Sequence, residues 1–571
     1  MRAHTVFKSL FVALLAFSPA SAAAQGLTRV PTANTKVLGV ARPNVLSVEL
    51  AEVIRAHGSM ALENPQEWAA FYGYNNDQPQ RPFLPPLGSN VEAMKTEPDK
   101  NTYLVLQGQR GADPSYDYGT HFLFQGHEAG NGGKGYITRI NLDADVGHRV
   151  TLMANRDVLG NPLPVFDGST WYPWAHRLLF TKESGNAGGV WQATLDVPSI
   201  VEDVSGVFGR GGYEGIQADS DGNLWIVEDV GGTTVNNARQ PNSFIYRFVP
   251  YDRSDLKAGG KLQVLTVKSK AHAGDIVFNG TPAVDILSQD VRDLHTYGLV
   301  FDTRWITIYD TAVSGTTTPF DANALAKGKG TPFKRPENGM FRPGTHFGEF
   351  YFTETGDTNA DSVAGRDFGG FGGLFKVSQR RPSDDTGSLT LFFLGDLAHT
   401  AFDNLAFLTE DLLVAVEDRG DSLHGLAQAG SVLDSGWLFD VRLDYSKSPS
   451  QPIRILAQGR DAVMPQPPST RAFWGRRGSR TTAITKSPGS TFRTGIQRRE
   501  ASSAPRSRVR SRASGASSTR SSTVTTSRTR SSRTRRRSRA TIGMVTTAIT
   551  AIITAPTETD GPRSRTTGER R

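Results

Sequence analysis

The 571-residue sequence contains no cysteine, which excludes disulfide bonds, thiolate metal ligands and thiol nucleophiles. It also has no apolar run as long as the roughly 20 residues that a membrane-spanning helix needs. Neither an H-E-x-x-H zinc motif nor a G-x-S-x-G nucleophile elbow is present. Among the enzyme classes considered, these absences leave metal-assisted hydrolysis with oxygen ligands as the best supported.

One short apolar run, Leu10 to Phe17, lies near the N-terminus after Arg2 and Lys8. It is followed by a small-residue stretch that ends in Ala22-Ala23-Ala24. This pattern is typical of a secretory signal peptide with an A-x-A site, so we expect residues 1–24 to be removed after export by the Sec route. We expect the mature protein to be periplasmic or secreted, monomeric and without a membrane span.

Charge is distributed very unevenly along the chain. Residues 471–571 contain 23 arginines and only four acids, whereas the remaining residues have a net charge of −12 in a chain whose total is +8. The Arg/Ser/Thr-rich composition of residues 466–571 predicts a disordered tail, because such a segment cannot bury a core. A nucleic-acid-binding arm and the product of a frameshift near residue 465 are two hypotheses for it. For the acidic residues 25–465 we expect no nucleic-acid partner.

The body of the chain consists of short β-rich runs separated by Gly, Asp, Asn and Pro turns, with little helical periodicity. Six of the runs end in acids: Glu128, Glu183, Glu228, Asp310, Glu354 with Asp357, and Glu417 with Asp418. The mean gap between these endings suits a four-stranded blade with inserted loops. The sequence therefore predicts an all-β fold, a six-bladed β-propeller over residues 25–465. We expect Asn101 to Gly108 to supply a strand that closes the ring of blades.

Several runs also begin with a polar residue. Glu214, Glu337 and Asp403 with Asn404 lie 14 to 17 residues before the corresponding ending, which is the spacing of a β-hairpin whose open ends are side by side. We therefore expect these side chains to converge at one mouth of the central channel. Carboxylates held so close repel one another unless cations bind, and an oxygen-only ligand set favours Ca²⁺. The alternative is that each acid is a solvated turn residue.

A second candidate calcium site is the D-x-N-x-D run formed by Asp357, Asn359 and Asp361. Alternating oxygen ligands on one loop can wrap a calcium ion. The sixth-position glycine and the helix pattern of an EF-hand are absent, so a polar loop is the alternative.

An ordered series of motifs over about residues 100–445 resembles the PhoX-type alkaline phosphatase family. The motifs are QGHE, TWYPWAHRLLFTKES, YEGIQADSDGNLWIVEDVGG, SFIYRFVP, KRPENGMF, FYFTETGD and FDNLAFLTEDLLVAVEDRGD. The resemblance implies a six-bladed propeller with a calcium and iron cluster in its channel, where a metal-linked oxygen nucleophile hydrolyses phosphate monoesters. It implies that Arg335 clamps the phosphate, which suits a planar guanidinium. The metal ligands that it implies are Glu337, Glu228, Glu183 and Glu417.

The sequence departs from the family pattern at three places. Lys182 stands where the family has its iron-ligating cysteine, Asp229 is followed by Val230 and Gly231 without the family's basic residue, and the leader has the single arginine Arg2 in place of a twin-arginine signal. These departures favour a Ca²⁺-bearing propeller over a full cluster of calcium and Fe³⁺. Two further hypotheses are a calcium-dependent propeller hydrolase of phytase-like or lactonase-like type and a non-enzymatic, calcium-stabilised propeller that binds a partner.

Overall fold

The computed structural model describes residues 26–35, 44–57, 60–73, 99–128, 134–357, 359–418, 432–458, 482–485 and 551–552. All of these ranges belong to one unit of the chain, Met1–Lys486 with Val545–Arg571. The predicted signal peptide and nearly all of the predicted tail lie outside the described residues, so both stay predictions. None of the described helices is long and apolar enough to cross a membrane.

Strands account for most of the regular structure. In chain order they are β1 Val45–Leu46, β2 Glu52–Ile54, β3 Ala61–Gln66, β4 Ala69–Phe71, β5 Asn101–Val105, β6 His121–Gln125, β7 Ile137–Asn141, β8 Val150–Ala154, β9 Ser169–Tyr172, β10 Arg177–Lys182, β11 Gly189–Ala193, β12 Val201–Asp203, β13 Tyr213–Ala218, β14 Leu224–Glu228, β15 Thr234–Val235, β16 Ala238–Arg239, β17 Ile245–Pro250, β18 Gly260–Val267, β19 Val300–Asp310, β20 Pro336–Phe341, β21 Glu349–Glu354, β22 Gly373–Ser378, β23 Thr386–Leu394, β24 Phe402–Phe407, β25 Leu412–Glu417, β26 Ser435–Asp440, β27 Ile453–Ala457, β28 Thr482–Thr485 and β29 Ala551–Ile552. The described helices are short: α1 Ser205–Phe208, α2 Pro282–Ile286, α3 Gln289–Leu294, α4 Thr311–Ser314 and α5 Ala322–Ala326.

The strands form antiparallel meanders of four, which we number as sheets one to five. They are β5 to β8, β9 to β12, β13-β14-β17-β18, β20 to β23, and β24 to β27. The long strand β19 pairs with both β18 and β23 and so joins sheets three and four. At the outer edge of sheet five, β1 adds a fifth strand.

The first strands of the five sheets follow one another in a ring. Contacts link β5 to β9, β9 to β13, β13 to β20, and β20 to β24. The Asn404 amide in β24 donates to the Asp99 carboxylate, just before β5, at 2.8 Å and completes the ring. The predicted all-β propeller fold is thereby confirmed. The number six is not confirmed, since the described residues contain five blades, and Asp310 ends the connecting strand β19.

The expected closing strand is wrong. Asn101–Val105 is β5, the first strand of sheet one, and it already has a sheet of its own. The strand that is added from the N-terminal side is β1, which pairs with β27 through Val45 and Ala457.

Apolar clusters fill the spaces between neighbouring sheets, and alternation along the strands explains them. Phe350 and Phe352 of β21 pack in the cluster shared with sheet three, whereas Tyr351 packs in the cluster shared with sheet five. Successive side chains of a strand point to opposite faces, so a sheet that is covered on both faces needs a continuous apolar run. This two-sided burial accounts for runs such as LWIV in β14. By analogy with other cores, replacing one of these phenylalanines by alanine should cost about 3–5 kcal/mol.

Candidate metal centre

Each of the five first strands brings one carboxylate to the same end of the ring. Asp99 and Asp167 lie two residues before β5 and β9, and Glu214, Glu337 and Asp403 are the second residues of β13, β20 and β24. All five are at most 5% exposed. Burial at this level is unusual for acids, because desolvation disfavours the ionised form.

β-Bulges set the direction of three of these acids. In sheet three, Tyr213 pairs with Glu228 and Gly215 with Val227, so Glu214 is an extra residue between two pairs. The same kind of register shift brackets Glu337 in sheet four and Asp403 in sheet five. A bulge bends the strand and re-aims the side chains beside it. Here it allows residues of buried strands to face the channel.

Three acids from the loops after the second strands join the five. In four overlapping groups the carboxylate oxygens lie within 4.8 Å of one another. The groups are Asp99–Glu214–Asp403, Asp99–Glu128–Asp167, Asp167–Glu183–Glu214 and Glu214–Asp229–Glu337. We call these eight acids the carboxylate ring. Glu214 belongs to three of the four groups and therefore lies at its centre.

The donor set of the carboxylate ring suits a hard cation. Every ligand atom is a carboxylate oxygen, and no histidine belongs to the groups found among the described residues. Calcium takes six to eight oxygen ligands, whereas zinc and iron–sulfur sites use nitrogen and thiolate. Buried carboxylates at these distances repel one another, so the ring needs either bound cations or protons. The residues present therefore fit a calcium site.

Arg335 lies beside the ring, with 13% of its side chain exposed. Its Nε and Nη2 donate to Asp229 Oδ2 at 3.0 and 2.7 Å, and Nη2 also donates to Glu337 Oε1 at 3.1 Å. Its backbone is left-handed, with φ of 57°, a conformation that non-glycine residues rarely adopt. The amide of Thr355 holds it by donating to the Arg335 carbonyl at 2.8 Å. The guanidinium is thus fixed between two ring acids.

The glutamates that end the second strands of sheets three, four and five lie outside the carboxylate ring. Each accepts at least one backbone N–H: Glu228 from Phe244 at 3.2 Å, Glu354 from Lys334 at 2.6 Å, and Glu417 from Thr400 and Ser435 at 3.2 and 2.9 Å. Buried backbone donors must be paired. The donors that these side chains pair lie at or just before the start of the first or third strand of each sheet. Burial raises the pKa of Glu228 to about 7.

The structure therefore brings together only some of the predicted site residues. Arg335, Glu337 and Glu183 are at the carboxylate ring. Glu228 instead accepts from Phe244 N, Tyr246 Oη and Asn323 Nδ2, and Glu417 accepts from backbone N–H groups. Of the two acids at the end of β14, Asp229 is the one at the ring, one position after the predicted ligand Glu228.

Asp357, the first acid of the D-x-N-x-D run, is bound by a lysine. The buried Asp357 carboxylate accepts hydrogen bonds from Lys334 Nζ at 3.1 and 3.2 Å and from the Arg239 amide at 2.8 Å. Asp361 is exposed, and its amide donates to Asn359 Oδ1 at 2.9 Å. A cation at Asp357 would have to displace the ammonium group of Lys334.

Sequence reasoning missed Asp99 and Asp167 as site residues. A signal was available, because both lie three residues before a threonine at the start of an apolar hairpin, in DKNT and DGST. Lys182, at the family's cysteine position, is half-buried, and its pKa is lowered by burial and by the charge of Arg210. Its neighbour Thr181 points the other way and donates to the Glu214 carbonyl at 2.6 Å.

Fold and site together define a β-propeller with an acidic channel mouth. Residues 235–437 match the family model of alkaline phosphatase PhoX, and this match confirms the resemblance predicted from the sequence. The matched segment contains Arg335, Glu337 and Asp403.

Several solved structures are similar to the chain. The structure of Pseudomonas fluorescens PhoX in complex with vanadate, a transition state analogue, has 12% identity and a TM-score of 0.45, and the similarity covers 76% of this chain and 89% of that one. A putative 6-phosphogluconolactonase from Bacteroides uniformis has 10% identity and a TM-score of 0.27, covering 62% and 82%. The Dos1 propeller has 8% identity and a TM-score of 0.27, covering 64% and 89%. No curated protein matches the chain.

Proposed function

We propose that the chain is an exported, calcium-dependent phosphomonoesterase of the PhoX type. The observation that carries this proposal is that Arg335, which lies in the segment that matches the alkaline phosphatase family, contacts two acids of the carboxylate ring. The ring of acids repels anions. Once cations neutralise the acids, a phosphate can bind above them and the arginine can bind the phosphate. Export is proposed from the leader sequence, and the substrate is proposed to be a small phosphate ester.

The eight acids of the ring and the guanidinium of Arg335 carry a net charge of −7 when all are ionised. Such a charge repels a phosphate dianion strongly at short range, so substrate binding should require bound cations. Calcium held by Glu214, Glu337 and their neighbours would supply Lewis-acid polarisation of the phosphate and activation of a water molecule.

Arg335 contributes the direct contact of the chain with the substrate. A guanidinium can donate two parallel N–H bonds to phosphate oxygens. Asp229 and Glu337 hold its plane in place through bonds of 2.7 to 3.1 Å. Preorganisation of this kind aligns the phosphate before reaction and lowers the entropic part of the barrier.

The test compares two arginines on the same strand pair. Arg335→Ala should lower kcat/KM for p-nitrophenyl phosphate at least 100-fold in saturating calcium, because it removes the phosphate clamp. Arg342→Ala is the matched control: Arg342 also bonds two carboxylates, Glu349 and Asp411, but it lies just after the far end of β20. We expect it to stay within threefold of the wild type. Equal loss in both variants would contradict the role of Arg335.

The same assay separates the alternatives. Calcium-dependent turnover of a lactone or an inositol phosphate, without turnover of p-nitrophenyl phosphate, would indicate the lactonase-like or phytase-like hydrolase. Tight calcium binding without turnover of any of these esters would indicate a binding propeller.

A further inference from the structure

A lysine lies among the acids of the carboxylate ring. Lys100 directly precedes β5 and is buried, and its Nζ donates to Asn338 Oδ1 at 3.0 Å and to the Gly339 carbonyl at 3.4 Å. Both acceptors belong to β20. In the ring of first strands, β5 has β9 and β24 as neighbours. Lys100 therefore reaches a strand that does not adjoin its own and crosses the channel.

The electrostatic surroundings of Lys100 come from members of the ring. Burial lowers the pKa of its ammonium to about 8, while the charges of Asp99, Asp403, Glu214 and Asp167 oppose this shift. Three of these acids, Asp99, Glu214 and Asp403, are one of the groups whose oxygens lie within 4.8 Å of one another. The hydrogen-bond acceptors of Lys100 are the neutral Asn338 and Gly339, and the four carboxylates act on it as nearby charges.

We propose that Lys100 is a resident cation of the carboxylate ring, which neutralises Asp99, Glu214 and Asp403 before metal arrives and weakens the binding of a divalent cation there. This proposal rests on the proposed calcium site. Without a fixed positive charge, the buried acids of a newly exported, metal-free chain would repel one another. With it, the propeller folds first and the ring loads calcium afterwards at reduced affinity.

Removal of the lysine charge should raise the calcium affinity of the chain and lower the unfolding temperature of the metal-free protein. Lys100→Met keeps most of the side-chain volume, and Lys100→Gln keeps a hydrogen-bond donor for Asn338 or Gly339. In either variant of the full chain, calcium should bind at least tenfold more tightly in calorimetric titration, or one more ion should bind per chain. Thermal unfolding in a chelator should begin at a lower temperature than in the wild type. If the lysine were merely structural, its substitution would lower both the calcium affinity and the unfolding temperature.

Lys376→Met is the matched control, because Lys376 pairs with Glu349 away from the ring; its calcium affinity should equal that of the wild type. Should Lys100→Met not fold without metal, Lys100→Gln and titration of refolded protein in calcium give the same comparison. Unchanged or weaker calcium binding in the Lys100 variants would overturn the proposal. Binding by the variants and none by the wild type would support it while contradicting calcium dependence of the native protein. Absence of calcium binding in the wild type and in every variant would overturn both this proposal and the proposed calcium site.

Discussion

Two sets of acids lie at the same end of the sheets, and the structure uses them differently. The acids at the starts of the first strands, such as Glu214 and Asp403, face one another in the channel. The glutamates at the ends of the second strands, such as Glu228 and Glu417, turn into their own sheets and accept backbone N–H bonds. In sequence both sets are carboxylates next to apolar strands.

The difference comes from the bulges. In sheets three, four and five the last pair before the register shift joins the residue ahead of a ring acid to a strand-ending glutamate: Tyr213 with Glu228, Pro336 with Glu354, and Phe402 with Glu417. The bulge frees a residue to face the channel, and the glutamate opposite accepts N–H groups at or just before the start of the first or third strand of its sheet. We infer that one set of acids supports the geometry of the other, so the two sets should respond differently to substitution.

The largest effect is expected at the centre of the carboxylate ring. Glu214→Gln removes a charge shared by three groups of acids and should weaken calcium binding about 1,000-fold, or about 4 kcal/mol. Calorimetric titration measures this directly, and phosphatase activity should fall with it. Glu202→Gln, at an exposed ion pair with Lys257, is the control and should bind calcium normally. A Glu214 variant with wild-type affinity would show that the ring is not the site.

The contribution of the strand-ending Glu228 to the free energy of unfolding should depend on pH. Burial raises the pKa of Glu228 from 4.5 to about 7, so its contribution to stability is fully present below about pH 4.5 and is lost as pH rises through about 7. The shift corresponds to about 3 kcal/mol. In a chelator, the free energy of unfolding of the wild type relative to Glu228→Gln should fall by that amount between pH 4.5 and pH 8. A difference that does not vary with pH would contradict the assignment.

The third substitution separates stability from metal binding. Glu417→Gln exchanges a carboxylate that accepts from Thr400 and Ser435 for an amide whose nitrogen cannot accept, and should lower the free energy of unfolding by about 2 kcal/mol. Urea unfolding in a chelator measures this loss. The calcium affinity of the folded variant should remain within threefold of the wild type. A large loss of affinity would place Glu417 with the ring acids.

Metal removal should have the smallest effect on stability. At a calcium concentration ten times the dissociation constant, binding adds about 1.4 kcal/mol to the free energy of unfolding. Chelation should therefore lower the unfolding temperature of the wild type but leave that of Glu214→Gln nearly unchanged. Equal shifts in both proteins would indicate calcium bound elsewhere.

Much of the fold could be predicted because hairpins with paired polar ends recur along the sequence. The all-β class and the propeller architecture follow from that recurrence. The sheet that contains Asp310 could not be predicted in the same way, because β19 is a strand of the same apolar character that connects two blades. Strand pairing between distant segments decides this, and local pattern does not encode it.

The site was predictable as a convergence of acids but not residue by residue. Whether Glu228 or Asp229 faces the channel depends on a register shift of one residue, and such a shift reverses the direction of every side chain that follows. The position of Lys100 at the site could not be predicted for another reason, since its partner Asn338 lies 238 positions away in the sequence. Arg335 and Glu337 were found because they lie in one short motif.

Binding of calcium at the carboxylate ring is tested by the anomalous scattering of calcium in crystals of the full chain. We expect a peak at about 2.3–2.6 Å from carboxylate oxygens of Glu214 and of at least one of Glu337, Asp99 and Asp403. A peak at the Asp357–Asp361 loop with none at the carboxylate ring, or no peak at all in millimolar calcium, would contradict it.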